Sequence, residues 1–202
     1  MTTIYLIRHA EATGNLENRV NGVTDCDLTN KGFEQIKKLA AYADKLDIDA
    51  VYASPLKRAN KTAAALNWYI NKPFYTVDGL IEVNAGKWEG MKWDDISHGT
   101  QLYHLWLNDP DFVKDGGEPF PDVYKRISAT IDSIAEENDG KTVAIVSHGA
   151  AMRNFMCYAK RWSDDKYPEQ IPFGNTAYAK LIYDNDKKRY AVIFENEAPH
   201  LL

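Results

Sequence analysis

Two apolar runs in this chain stop abruptly at a histidine. Ile4-Tyr5-Leu6-Ile7 leads to Arg8-His9, and Val143-Ala144-Ile145-Val146 leads to Ser147-His148-Gly149. Continuous apolar stretches of strand length read as strands covered on both faces, the pattern of a parallel sheet. Ligands of open α/β sheets bind beyond the carboxyl ends of such strands. The pattern therefore predicts that two histidines far apart in sequence reach one cleft. Between them, residues 3–7 form the first strand and 8–30 a polar loop long enough to imply function. Thr29 caps a helix over 30–46 that buries Phe33, Ile36, Ala40 and Ala43. A strand over 49–54 passes through Pro55, suited to a first helical turn, into a helix carrying Arg58, Thr62, Ala63 and Leu66. Residues 74–83 read as a strand ending near Glu82. Residues 85–117 are irregular, with a short helix over 102–107. Asp122 caps a helix burying Val123, Ile127, Ile131 and Ile134, which Gly140 ends. A strand over 142–147, a helix from Gly149 to about Arg161 and a hairpin (177–183 and 190–194 around Asn185-Asp186-Lys187) complete the chain. This order predicts one α/β domain over 1–202. Its sheet is mostly parallel with helices on both faces, a C-terminal hairpin and an inserted lid at about 84–120.

The 202 residues suffice for one full core. A net charge of −5 argues against a nucleic-acid surface or an anionic membrane as partner. No apolar run reaches membrane-spanning length, and Arg8-His9 cut the opening run too short for a signal peptide. Cys26 and Cys157 lack metal or redox-motif spacing, so they read as free thiols of a cytoplasmic protein. The outer edge of the hairpin offers a surface for a homodimer.

Arg8 is the most demanding residue chemically. An arginine at the end of a buried strand cannot lose its charge and needs an anion. Without a protein carboxylate, a ligand phosphate or carboxylate would serve. Arg58 sits in the first turn of a helix, where the dipole disfavours a cation, which again suggests an anionic partner. Glu82 closes an apolar stretch and is a candidate proton donor. A metal site is not expected, because His98 and His104 lack the i, i+4 spacing of helical metal ligands. Neither a glycine-rich phosphate loop nor a serine-hydrolase elbow is present.

Arg8-His9-Ala10-Glu11-Ala12-Thr13-Gly14-Asn15 resembles the Arg-His-Gly-Glu-Thr-x-x-Asn signature of the histidine phosphatase superfamily, the phosphoglycerate mutase-like proteins. Leu28-Thr29-x-x-Gly32, Ser54-Pro55-Leu56-Lys57-Arg58-Ala59 with Thr62-Ala63, and Leu80-Ile81-Glu82 with Gly86-x-Trp88-Glu89-Gly90 resemble its later motifs in order. Gly116-Gly117-Glu118 with Arg126, and Val146-Ser147-His148-Gly149, continue the resemblance to about residue 180. Ala10 replaces a glycine, Asn21 stands where glutamine is usual, and Pro119 removes the hydroxyl of the family serine.

The resemblance implies a metal-independent phosphomonoesterase that uses no cofactor and acts on a small phosphorylated metabolite. Arg8, Arg58 and His148 would gather around the phosphate, joined by Asn15, Asn21, Gly22 and Gly149. His9 would attack phosphorus while neutral, its pKa depressed by the neighbouring cations. Glu82 would protonate the leaving oxygen and then activate water. Two alternatives use the same residues: a cofactor-dependent phosphoglycerate mutase and a non-catalytic phosphate-binding protein. The phosphatase is preferred because residues 84–120 contain no arginine to hold a phosphoglycerate carboxylate.

Overall fold

A computed structural model describes residues 1–96, 116–162 and 164–202. The expected helix over 102–107 and most of the expected lid lie outside the described residues. The sheet has six strands in the order β3-β2-β4-β1-β5-β6. These are β1 (Thr2–Arg8), β2 (Ala50–Ala53), β3 (Phe74–Thr76), β4 (Thr142–Ser147), β5 (Tyr178–Asp184) and β6 (Arg189–Glu197). β3, β2, β4 and β1 run parallel, while β5 and β6 form the expected hairpin, antiparallel to β1 and to each other. The mostly parallel α/β domain expected from the sequence is the architecture found.

Alternation along the central strands explains why helices cover both faces. Ile4, Leu6, Val143 and Ile145 meet α5 (Phe120–Glu137) and α6 (Gly149–Ala159) in one core cluster. Tyr5, Ile7, Ala144 and Val146 meet α2 (Asn30–Tyr42) and α3 (Lys57–Ile70) in the other. Short helices α1 (Thr13–Leu16) and α4 (Trp93–Ile96) lie in the loops beyond the strand ends. Register then sets the chemistry. Arg8 pairs with Ser147 and Ala53 with Val146, so β1, β2 and β4 end at one level. The residues that follow, His9, Ser54 and His148, emerge side by side.

Several local expectations are corrected. Phe33 is 40% exposed, because α2 turns Gln35, Ile36, Leu39 and Ala40 inward instead. The helix over 30–46 ends at Tyr42 and passes into a short 3-10 turn. The strand over 74–83 stops at Thr76, because the carbonyls of Gly79, Leu80 and Ile81 bond to the side chains of Arg126 and Ser147 rather than to a neighbouring strand. α5 starts earlier than expected. Pro119 is its N-cap, and Asp122 lies in its first turn, where the dipole favours a carboxylate. Cys26 lies near Asn21 and Arg58, and Cys157 in the cluster around Trp88 and Phe120, so no disulfide joins them. No helix among the described residues is long and apolar enough to cross a membrane.

The Leu28-Thr29-x-x-Gly32 run has a packing explanation. Thr29 caps α2 by accepting from the Gly32 N–H at 3.0 Å, and its hydroxyl donates to the Glu11 carboxylate at 2.8 Å. A Cβ on Gly32 would stand 2.1 Å from the Glu11 carbonyl oxygen. Alanine is the better helix former by about 1 kcal/mol, yet this clash is with backbone and must dominate. We predict that Gly32→Ala lowers stability by about 1–3 kcal/mol, read as a lower midpoint in urea. An unchanged or raised midpoint would show that the loop yields without cost.

Candidate active site

Beyond the ends of β1, β2 and β4 lies a cavity of about 350 Å³. Its walls include Arg8, His9, Asn15, Arg58, Glu82 and Gly149, with Asn21 and Gly22 from the polar loop. Residues spread over more than a hundred positions thus meet at one point; of the two histidines, His9 lines it.

His9 is nearly fully buried, at 2% exposure. Its Nδ1 lies 2.7 Å from the Ala10 carbonyl oxygen. A carbonyl only accepts, so Nδ1 carries the proton and Nε2 presents a lone pair. Burial is the main reason its pKa lies well below the ordinary histidine value, with Arg58 and then Arg8 adding to the effect. The expected effect of the neighbouring cations is present, but removal from water comes first. His148 is fully buried behind His9, with ring centroids 5.2 Å apart. It is not part of the cavity wall. Its Nε2 meets the Ser54 hydroxyl at 2.7 Å, while Nδ1 is buried without a partner. Burial, then Arg58, holds its pKa low as well.

Both arginines line the cavity. Arg58 is completely buried and donates to the carbonyls of Thr24 at 2.8 Å and Gly22 at 2.7 Å. Arg8 donates from Nη1 to the Phe173 carbonyl. Nε of both is buried and unpartnered, and neither has an ion-pair partner among the described residues. Gly22 thus supports Arg58 through its carbonyl. Asn15 accepts the Ala12 N–H at 3.0 Å through Oδ1, leaving its amide donors for the cavity. Glu82 is not in an apolar pocket. Its carboxylate accepts from Val83 N at 3.0 Å, Ala150 N at 3.1 Å and Ala151 N at 2.8 Å, the last two at the N-terminus of α6.

Other contributors went unread in the sequence. The turn at 173–177 holds the nucleophile loop: Asn175 Nδ2 donates to the His9 carbonyl at 3.0 Å, and Thr176 N to the Arg8 carbonyl at 3.1 Å. Thr176 adopts φ 60° and pairs with His200 Nε2 at 2.9 Å. Burial brings the His200 pKa down to about 4. Arg19 and Arg153 also line the cavity, with the Arg153 guanidinium 4.2 Å from the Tyr167 ring centre. The arginine-free segment 84–120 therefore does not leave the cavity short of cations, since α6 and the polar loop supply them. No short motif marks these residues.

Such a cavity, with two arginines that have no ion-pair partner among the described residues beside a buried imidazole at the ends of parallel strands, is that of an α/β enzyme that handles phosphoryl groups. The chain matches the histidine phosphatase superfamily (branch 1) over residues 4–196 and belongs to that family. It is 32% identical to phosphoserine phosphatase 1 of Hydrogenobacter thermophilus, over 100% of this chain and 95% of the relative. It is 30% identical to a metal-independent phosphoserine phosphatase of Arabidopsis thaliana, over 76% of this chain and 66% of that protein. Bacillus stearothermophilus YhfR superposes with a TM-score of 0.88 at 29% identity, covering 100% of both chains. A phosphoserine phosphatase mutant of Entamoeba histolytica in complex with phosphoserine superposes at 0.85 with 27% identity, again over 100% of both. The protein is a phosphatase acting on phosphomonoesters.

Histidines held neutral by burial make stability depend on pH. With folded pKa values below those of the unfolded chain, the unfolded state binds more protons once pH falls below about 6.5. Stability must then fall on acidification, by up to about 1.4 kcal/mol per pH unit for each histidine. We predict that the combined His9→Asn, His148→Gln variant loses less stability than wild type between pH 7 and pH 5 in urea titrations. Equal losses in both proteins would contradict the neutral assignment.

Proposed function

We propose that the protein hydrolyses a small phosphomonoester through a phosphohistidine on His9, without a metal. The observation that carries this reading is the His9 ring, whose Nδ1–H is bound to the Ala10 carbonyl and whose Nε2 has no partner among the described residues, beside two arginines that have no ion pair among them. The phosphate supplies the missing negative charge. Arg8, Arg58 and the amide of Asn15 hold its oxygens. When the Ser54 hydroxyl donates to His148 Nε2, the proton of that ring stays on Nδ1, buried behind His9. The Nε2 lone pair attacks phosphorus in line, the bond to the leaving oxygen breaks, and Glu82 delivers a proton to that oxygen. Water then loses a proton to Glu82 and attacks the phosphohistidine. The P–N bond breaks, and phosphate leaves with His9 neutral again. Fixed cations and amides that stabilise the transferring group supply most of the acceleration.

The substrate's leaving group carries an anion of its own. Arg153 lies one helical turn beyond Ala150, whose N–H meets Glu82, so a group attached to the leaving oxygen extends toward it. Arg19 also lines the wall, but it is already paired with Glu17 at 2.7 Å. A carboxylate suits Arg153. The phosphoserine named for two relatives has such a group. The chain works in the cytoplasm, a reading supported by two cysteines set in separate clusters.

Two measurements check this. In EDTA, wild type is expected to release phosphate from p-nitrophenyl phosphate, and His9→Ala to release none above background. Turnover abolished by EDTA, or retained by the variant, would overturn the mechanism. For the leaving group, Arg153→Met is expected to raise KM for phosphoserine by about 10-fold or more. Its kcat/KM for p-nitrophenyl phosphate should stay within about threefold, a change under 1 kcal/mol. Equal losses on both substrates would reduce Arg153 to a packing role.

A further inference from the structure

We infer that Arg126, locked by Glu118, is the positioning residue that fixes Glu82 for proton transfer. The inference rests on the reading of Glu82 as the proton donor to the leaving oxygen. Arg126 does not line the cavity. It acts on the stretch of chain that carries Glu82.

That stretch has little structure of its own. After β3 ends at Thr76, only a short 3-10 turn over Asp78–Leu80 precedes Glu82. Its carbonyls converge instead on one guanidinium. Arg126 Nη1 donates to the carbonyls of Gly79 and Ile81, both at 2.9 Å, and Nη2 reaches the Glu82 carbonyl at 3.4 Å. The other edge of the fork is held by Glu118 in a two-point pair, Nε to Oε1 and Nη2 to Oε2, each 2.8 Å. Glu118 also fixes the far side of Glu82. Its Oε2 accepts Asn84 N at 3.3 Å, and its own N–H donates to the Asn84 carbonyl at 2.8 Å.

The helix surface completes the seat. Thr130 lies one turn beyond Arg126 on α5, and its hydroxyl donates to the Arg126 carbonyl at 2.8 Å. A Cβ on Gly79 would stand 2.0 Å from Thr130 Oγ1, so the loop is pressed directly onto α5. The backbone of Glu82 is therefore held from one side by Arg126. Its carboxylate is held from the other by the first amides of α6. One guanidinium and one helix end determine where the proton sits. A displacement of about 1 Å in such a group costs on the order of 100-fold in rate. Lysine cannot substitute, because a point charge lacks the planar fork that spans a carboxylate and three carbonyls.

A general acid matters only when the leaving group needs a proton. Nitrophenolate leaves without one, whereas the alkoxide of phosphoserine does not. The test is kcat/KM, which reports formation of the phosphoenzyme, for p-nitrophenyl phosphate and for phosphoserine in wild type, Glu82→Gln, Arg126→Lys and Glu118→Gln. Arg126→Lys and Glu118→Gln are expected to lose about 10- to 100-fold on phosphoserine and less than about threefold on p-nitrophenyl phosphate. Glu82→Gln is expected to show the same split, more deeply. If Glu82→Gln shows the split and the two positioning variants lose both substrates equally, or lose neither, the inference fails while the role of Glu82 stands. If Glu82→Gln shows no split, the reading of Glu82 fails and the inference with it. Glu118→Gln keeps the side-chain shape and remains a test if Arg126→Lys does not fold.

Discussion

The structure depends on a charge it leaves unbalanced. Arg8 and Arg58 are drawn to the ends of the central strands, where burial removes the water that would solvate them. Among the described residues their hydrogen-bonded oxygen partners are carbonyls rather than carboxylates, Phe173 for Arg8 and Thr24 and Gly22 for Arg58, with Glu82 acting on Arg8 at longer range. Carbonyl dipoles make the burial tolerable without cancelling the charge. A protein carboxylate at 3 Å would be more stabilising and would compete with the phosphate for the same donors. The same unbalanced field, added to burial, keeps His9 neutral and so nucleophilic under the proposed mechanism.

The surrounding architecture serves to hold these groups in place. Parallel register brings His9, Ser54 and His148 to one level without any loop having to reach. The turn at 173–177 returns to the end of β1 and bonds its backbone, and His200 near the C-terminus supports that turn through Thr176. On the opposite wall, α5 and the first turn of α6 hold the stretch bearing Glu82. Each group is thus fixed from at least two elements, which suits a reaction whose rate derives from preorganised donors.

Much of this was legible in the sequence because it follows short-range rules. Ile4–Ile7 and Val143–Val146 read as strands covered on both faces, and their ends marked the site. Arg8 demanded an anion, and among the described residues no carboxylate pairs with it directly; Glu82 acts on it only at longer range. What could not be read depended on tertiary partners. Residues 77–82 look like a strand by composition, but Arg126 and Ser147 take the carbonyls that a strand neighbour would need. Phe33 has the spacing of a core residue, yet the helix rotates it outward in favour of Ile36 and Leu39. Arg19, Arg153 and Asn175 carry no motif, and only the packing of distant elements brings them to the cavity or to the backbone beside it.

The central claim is that His9 is a neutral imidazole with its proton on Nδ1 and its lone pair on Nε2. Nitrogen-15 NMR of histidine-labelled protein across pH 7.5 to 5.5 tests it most directly, with His9→Asn used to assign the signals. The account predicts one unprotonated Nε2 and one protonated Nδ1 for His9 throughout the range, with no titration near the ordinary histidine pKa. A His9 that titrates to imidazolium in this range, or carries its proton on Nε2, would contradict it.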